Sequence, residues 1–241
     1  MAKHQGRIMN LNNAAILVTG GASGIGLETA RLLISQGAKV AICGRNLERL
    51  EQAAASVGAL PIRADVSVEA DVKRMVQTVI AEFGDYNALV NNAGYGYFAP
   101  LIEQDLDQFN RLFLTNVAGA MLVARESARY FISRQRGNII NISSTAGSKG
   151  FAGGTAYAAS KFALTGMTEC WRAELRQHNI RVMQINPSEV LTDFFQAAGL
   201  EQKASERKLR PQDIAHAIVS ALQMDDRGFI TDLTVWATNP D

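Results

Sequence analysis

Short apolar runs alternate with longer stretches of helical periodicity along most of this chain. Residues 14–18 (Ala-Ala-Ile-Leu-Val) are apolar without interruption, as in a parallel strand covered on both faces. Beyond a turn, Leu27, Ala30, Leu33 and Ile34 recur at helical spacing. The alternation continues with strands over 39–43, 60–66 and 88–94, the last two including their exits. Between them lie a helix marked by Leu47, Leu50 and Ala54 and another over 68–83. Residues 105–135 predict one long helix, with Phe109, Leu112, Phe113, Val117, Leu122 and Val123 on its apolar face. Residues 137–142 read as a buried strand, 157–177 as a helix and 181–185 as a strand. A last helix over 210–222, with Pro211 near its start, precedes a last strand over 230–236.

Such alternation, without linker, repeat or low-complexity segment, implies an α/β fold: a doubly wound parallel sheet with helices on both faces. Residues 14–241 are expected to form that single domain, and residues 1–13 a flexible N-terminal arm. The amphipathic, Glu- and Lys-rich stretch 194–210 is expected to act as a substrate lid.

Composition narrows the function mostly by exclusion. The chain has 241 residues, 47% hydrophobic and 20% charged, with a net charge of +1. With no basic run, nucleic acid and anionic membrane are poor candidates for a partner. No apolar run approaches the roughly 18 residues that span a bilayer, and the polar start lacks the apolar core of a secretory signal. Cys43 and Cys170 lie far apart, and His4, His178 and His216 cluster with neither cysteines nor carboxylates. No metal site is implied, a reducing compartment suits the cysteines, and the cytoplasm is the expected location.

Chemistry enters first at Thr19-Gly20-Gly21-Ala22-Ser23-Gly24-Ile25-Gly26, between the first strand and first helix. Glycines there let backbone approach a pyrophosphate, and the helix start supplies N–H donors and partial positive charge. A tight turn without a ligand is the alternative. After the second strand a carboxylate would hydrogen-bond the ribose of NAD. Arg45 instead offers a fork for a 2′-phosphate, or is a surface arginine at a helix start. Asp65 could cap the following helix. Asn91, Asn92 and Gly94 close the fourth strand, where Asn side chains hold a neighbouring loop and glycine lets the chain turn.

Tyr157 and Lys161 lie four residues apart, on one helical face. A free phenol titrates near pH ~10. An ammonium about 4 Å away contributes about 4 kcal/mol at an effective dielectric of about 20, which would lower the phenol by roughly 3 units. Ser143 and Ser144 end the strand before that helix, where a hydroxyl could share the phenol's target. This is a proton-transfer constellation for a carbonyl or an alcohol.

These motifs, in this order, resemble the short-chain dehydrogenase/reductase family from about Ala14 to Ile230. The glycine spacing matches its TGxxxGxG, residues 91–94 its NNAG, and Tyr157 to Lys161 its tyrosine–lysine helix. The resemblance implies a Rossmann-like oxidoreductase with Asn116, Ser144, Tyr157 and Lys161 as catalytic residues. Ser144 is preferred over Ser143 because the family places this serine thirteen positions before the tyrosine. Lys161 would depress the tyrosine's pKa and hold the ribose, and Asn116, by itself a structural hydrogen-bonder in mid-helix, would carry a water linking lysine to solvent.

Cofactor contacts implied by the family are Gly20, Ser23, Gly24, Ile25, Gly26, Arg45, Asp65, Val66, Asn92, Ala93, Gly94, Tyr157, Lys161, Pro187, Val190 and Thr192. NADP(H) is favoured because Gly44 stands where NAD-preferring relatives carry aspartate; NAD(H) stays open. Ser188 replaces a family glycine, and the chain ends without the family's valine-aspartate-glycine-glycine segment.

Tyr95, Tyr97, Phe98, Phe151, Phe194 and Phe195 are expected to wall the substrate site, favouring a small apolar ketone or a β-ketoacyl thioester. Carrier-protein reductases of the family dock their carrier through arginines at positions matching Gln135 and His178; Arg134, Arg136 and Arg176 are adjacent, so a carrier-linked substrate is half supported. The helices over 105–135 and 157–177 resemble those that pair in family homotetramers. A non-catalytic NADP-binding sensor on the same fold is the alternative function. Epimerases or dehydratases among the extended relatives carry more chain and a different glycine spacing.

Overall fold

The computed structural model describes residues 9–201 and 205–239. Its strands are β1 (Ala15–Thr19), β2 (Lys39–Gly44), β3 (Leu60–Arg63), β4 (Ala88–Asn91), β5 (Gly137–Ile142), β6 (Ile180–Pro187) and β7 (Asp232–Val235). All pair in parallel, in the order β3-β2-β1-β4-β5-β6-β7. The connections therefore reverse direction between β1 and β4, the place where open α/β sheets leave a crevice for ligand.

Helices cover both faces. On one side α1 (Gly24–Ser35), α2 (Leu47–Val57) and α8 (Pro211–Leu222) pack over Ile16, Val18, Ile140 and Ile185. On the other, α3 (Glu69–Phe83), α5 (Ala120–Arg134) and the end of α6 (Thr155–Leu175) cover Leu17, Leu89, Ile139 and Val182. Burial on both faces is why β1 and β4 are apolar at every position up to their polar ends. Local signals set the helix limits. Asn46 caps α2 by accepting from the Arg49 amide at 3.0 Å, and Gly58 ends it at φ 81°.

Three sequence expectations need correcting, and a fourth, the lid, falls on a segment only partly described. The helix expected over 105–135 is interrupted: α4 (Leu106–Phe113) runs into a π-helical turn over Leu114–Gly119 before α5 begins. Two contacts hold that turn. The Asn116 side chain is bound to the Tyr95 backbone, and Gly119 lies so close to Val66 that a Cβ would stand 2.8 Å from its methyl. The hydrophobic pattern tolerates one extra residue per turn, so periodicity does not register it.

Asp65 does not cap α3. Its carboxylate accepts from the Ser67 amide (2.9 Å) and hydroxyl (2.6 Å), closing a turn that ends β3 early, while Asp71 reaches back to the Asp65 amide. The described part of the expected arm, residues 9–13, is packed. Leu11 is buried in the core and the Asn13 amide donates to the Gly37 carbonyl at 2.8 Å. Residues 1–8 lie outside the described residues. In the expected lid, only α7 (Phe194–Ala197) is helical among the described residues. Its far end is stitched back, with the Leu191 amide donating to the Leu209 carbonyl at 2.8 Å. Residues 202–204 lie outside the described residues.

Candidate active site

The predicted cofactor loops and Ser144 leave the sheet at the C-terminal edge of a strand, on one rim, whereas Gln135 and His178 precede β5 and β6 on the other. At the crevice the loop after β1 and the loop after β4 are locked together. Thr19 Oγ1 accepts from the Asn92 and Ala93 amides, each at 2.9 Å. The Asn92 amide group donates to the Thr19 carbonyl at 2.9 Å and the Gly20 carbonyl at 3.3 Å. Gly20 adopts φ 64°, and a Cβ there would stand 3.0 Å from the Ala93 backbone. A side chain at Gly26 would collide with the Gly20 carbonyl and the Asn92 amide.

These glycines let α1 begin flush against the loop. Ser23 makes no side-chain cap bond, and no acidic residue occupies the first turn. The N–H groups and the positive end of the helix thus suit a dinucleotide's pyrophosphate. Ile25 follows half-buried on α1.

The remaining predicted cofactor positions border the same crevice. Arg45 is exposed directly beyond β2, and its positive charge reaches Tyr95 together with that of Arg111. Burial outweighs both cations and holds the Tyr95 phenol above its ordinary range. Asp65 and Val66 follow β3, with Val66 under the π-turn. At Gly94 a Cβ would stand 3.1 Å from Asn116 Oδ1.

From the far side, Pro187 ends β6 and the Ser188 amide donates to the Val235 carbonyl at 2.9 Å. Ser188 is not among the positive-φ residues, so the loop has no need of the glycine it replaces. Buried Val190 leads to Thr192, whose methyl lies 3.3 Å from where a Gly24 Cβ would be.

The proton-transfer residues meet between β5 and α6. Ser144 accepts from the Ala146 amide at 3.1 Å and hydrogen-bonds the Tyr157 phenol. Lys161 is buried; its Nζ donates to the Ile142 carbonyl at 2.9 Å and sits 5.7 Å from the Tyr157 ring centroid. Here the electrostatics depart from expectation. Burial pushes the Tyr157 phenol up to about 12, only partly opposed by the Ser144 bond, and burial pushes Lys161 down to about 8. The ammonium serves a backbone carbonyl behind the ring and does not contact the phenol oxygen, so desolvation wins. A phenol held protonated beside a second hydroxyl can donate a proton to a carbonyl oxygen.

Asn116 acts as a structural hydrogen-bonder, with partners that the sequence alone does not name. Its Oδ1 accepts from the Tyr95 amide at 3.0 Å, while its Nδ2 donates to the Tyr95 carbonyl (2.9 Å) and to Ser160 Oγ (3.2 Å). Ser160 in turn donates to the Tyr157 carbonyl at 2.7 Å. Asn116 thus clamps the loop after β4 to the catalytic turn of α6. Sequence reasoning passed over Thr19 and Ser160, although both sit inside the motifs already read. The Ile142 carbonyl carries no sequence signal at all.

The aromatic wall is partly as expected. Phe98 is its hub, with ring centroids 5.4 Å from Tyr157, 6.0 Å from Phe151, 6.4 Å from Phe194 and 6.1 Å from Phe195. Phe194 meets Tyr157 edge-on at 5.4 Å. Tyr97, in contrast, spends its hydroxyl on the Asp105 amide at 2.9 Å. Gln135 and His178, at the ends of α5 and α6, bond each other at 3.1 Å. Among the described residues no group of His, Cys, Asp and Glu could hold a metal ion.

With this geometry in hand, comparison with known proteins places the chain. Residues 14–203 match the short chain dehydrogenase family, and the chain belongs to that family. An NADP-dependent 3-hydroxy acid dehydrogenase of Schizosaccharomyces pombe is 32% identical over 95% of this chain and 94% of its own. The 3-oxoacyl-(acyl-carrier-protein) reductase FabG of Thermotoga maritima is 32% identical over 92% and 95%. A solved NAD+-bound xylitol dehydrogenase superposes with a TM-score of 0.83, at 32% identity over 94% of this chain and 99% of its own. The chain is an oxidoreductase of a family that works with nicotinamide cofactors on CH–OH and C=O groups. Among the described residues no helix is long and apolar enough to cross a membrane.

Proposed function

We propose that this chain is an NADP(H)-favouring carbonyl reductase for small apolar ketones or β-ketoacyl thioesters. The observation that carries this reading is the Tyr157–Ser144 hydrogen bond, with Lys161 buried behind it on the same helix. The nicotinamide, when bound, supplies the hydride. Tyr157 gives its proton to the carbonyl oxygen, and Ser144 donates to that oxygen as negative charge develops. Burial keeps Tyr157 protonated at neutral pH, the form that donates to a carbonyl oxygen.

Lys161 holds the ribose and Asn116 keeps Tyr95 and α6 in register. The glycine loop with Ser23, Ile25, Asn92 and Ala93 holds the pyrophosphate side. Asp65 and Val66 border the adenine, and Pro187, Val190 and Thr192 the nicotinamide. Arg45, exposed beside Gly44 with no carboxylate at that strand end, is the reader of the 2′-phosphate.

The ring cluster around Phe98 supports an apolar substrate, since sugar hydroxyls buried there would lack partners. Gln135 and His178 stand where the carrier-docking arginines would be and bond each other, so we favour a free ketone or short thioester over a carrier-linked one. Exposed Leu106, Leu114 and Phe162 on α4, the π-turn and α6 support homotetramer assembly through these helices. Free Cys43 and Cys170 suit the cytoplasm. The test is NADPH consumption over a panel of ketones, β-ketoacyl thioesters and sugars. Turnover of the apolar ketones supports the reading, and turnover confined to sugars overturns it.

A further inference from the structure

One ion pair joins the two banks of the dinucleotide crevice. Arg49 lies in the first turn of α2, where its amide is fixed by the Asn46 cap. Its Nη2 meets Asp193 Oδ2 at 2.9 Å. Asp193 is the N-cap of α7, yet its side chain makes no cap bond to that helix. An aspartate in this position ordinarily accepts from the helix's own N–H groups. Here the turn is closed by the Asp193 carbonyl, which accepts from the Ala197 amide at 2.8 Å, and by Thr192 Oγ1, which accepts from the Phe194 amide at 3.3 Å. The carboxylate is left to Arg49. Immediately after it come Phe194, edge-on to Tyr157, and Phe195, stacked on Phe98.

We propose that Arg49 is a positioning residue for the substrate end of the site, acting through Asp193 to hold Phe194 and Phe195 down on Phe98 and Tyr157. The proposal deepens the reductase reading and rests on it for the role of Tyr157. It makes α2, beside the adenosine end of the cleft, a determinant of how the ketone end closes. The side chains are half-exposed, 54% for Arg49 and 70% for Asp193, so the pair is weak and sensitive to salt. Weakness suits a strap that must open for substrate and product to pass. Arg49 is thereby distinguished from Arg45, which stands exposed directly beyond β2.

The test compares Arg49→Gln, Asp193→Asn and the charge-exchanged double variant Arg49→Asp/Asp193→Arg. Hydrogen exchange is followed at the Ala197, Ala198 and Leu200 amides, which close α7 and its end, in protein without cofactor. Each single variant should exchange about fivefold faster there, the most that an exposed pair of this kind supports, and the double variant should return to the parent rate. With an active ketone, KM should rise by the same factor at low salt, while Kd for NADH and NADPH moves less than about twofold. Unchanged exchange, or a double variant no better than the singles, overturns the proposal. So does a selective loss of NADPH in Arg49→Gln that Asp193→Asn does not share, which would make Arg49 a phosphate reader. If no ketone is reduced, the exchange result still decides the strap, and only the reductase reading fails.

Discussion

The two banks of the crevice are built from different interactions. On the β1–β4 side, Thr19 and Asn92 tie two loops through four hydrogen bonds between 2.9 and 3.3 Å, over glycines that leave no room for side chains. On the β6 side, α7 rests on ring contacts and one exposed ion pair. Backbone hydrogen bonds are directional and fail when a partner moves by a few tenths of an ångström. Ring contacts are broad and re-form in several arrangements. The bank proposed to hold the pyrophosphate is therefore fixed, and the bank proposed to meet the substrate is adaptable.

The sharpest test of this contrast lies where the banks meet. Tyr157→Phe removes the acid and leaves the ring contacts, so turnover should fall by roughly 10²–10⁴-fold. NADPH affinity, measured by fluorescence titration, should stay within a few-fold; near-normal turnover would point to another proton donor. On the fixed bank, Arg45→Ala should weaken NADPH by roughly 10–100-fold and NADH little, because only the former loses a charge-assisted pair. Equal losses in the two dissociation constants would remove Arg45 from the 2′-phosphate.

Thr19→Val strips the acceptor from two amides at the crevice, which should destabilise the fold by about 1–3 kcal/mol in urea unfolding. A neutral result would mean that water replaces the hydroxyl and the bank is looser than its bonds imply.

Titration sharpens the picture of the shared centre. Lys161 is held at about 8, below its unfolded value, so the buried ammonium is a burden at low pH that lifts as pH rises through 8 toward the unfolded value. Tyr157, raised to about 12, works the other way, its stabilisation fading above the unfolded phenol's value. The stability gap between the parent and Lys161→Met should change as pH rises from about 8 toward 10 and be flat below. A gap independent of pH would place the ammonium in water. The smallest effect belongs to the adaptable bank: Phe194→Ala should raise ketone KM several-fold and spare cofactor affinity, at about 0.5–1.5 kcal/mol for a lost ring contact.

What could be read in the sequence divides along the same line. Glycine positions, the Asn92 tie and the tyrosine–lysine pair are dictated by backbone geometry at short range, and they fell where their spacing placed them. The strand order came only with the structure, whereas the parallel sheet with helices on both faces followed from alternation. The π-turn did not, because Asn116 imposes it through a loop twenty-one residues earlier in the chain. Nor did the direction of the Tyr157 shift. A spacing argument counts the neighbouring charge and omits desolvation, which depends on everything packed around the ring. Arg49 and Asp193 are remote in sequence and carry no periodicity. Tyr97 reads as one more aromatic until the Asp105 amide claims its hydroxyl.

The π-helical turn at Leu114–Gly119 bears on which lengths of this chain can work. Such a turn holds one residue more than the α-helix on either side of it. Deleting any one residue between 114 and 119 would let the backbone relax into a continuous α-helix, locally the more stable form. The flanking helices α4 and α5 would keep their mutual register, because the turn alone holds the extra residue. Asn116, inside the turn, would lose its place against Tyr95 and Ser160. The loops of this protein can gain and lose residues freely by comparison. This helix must keep its irregular count, and a better-formed helix would make a poorer enzyme.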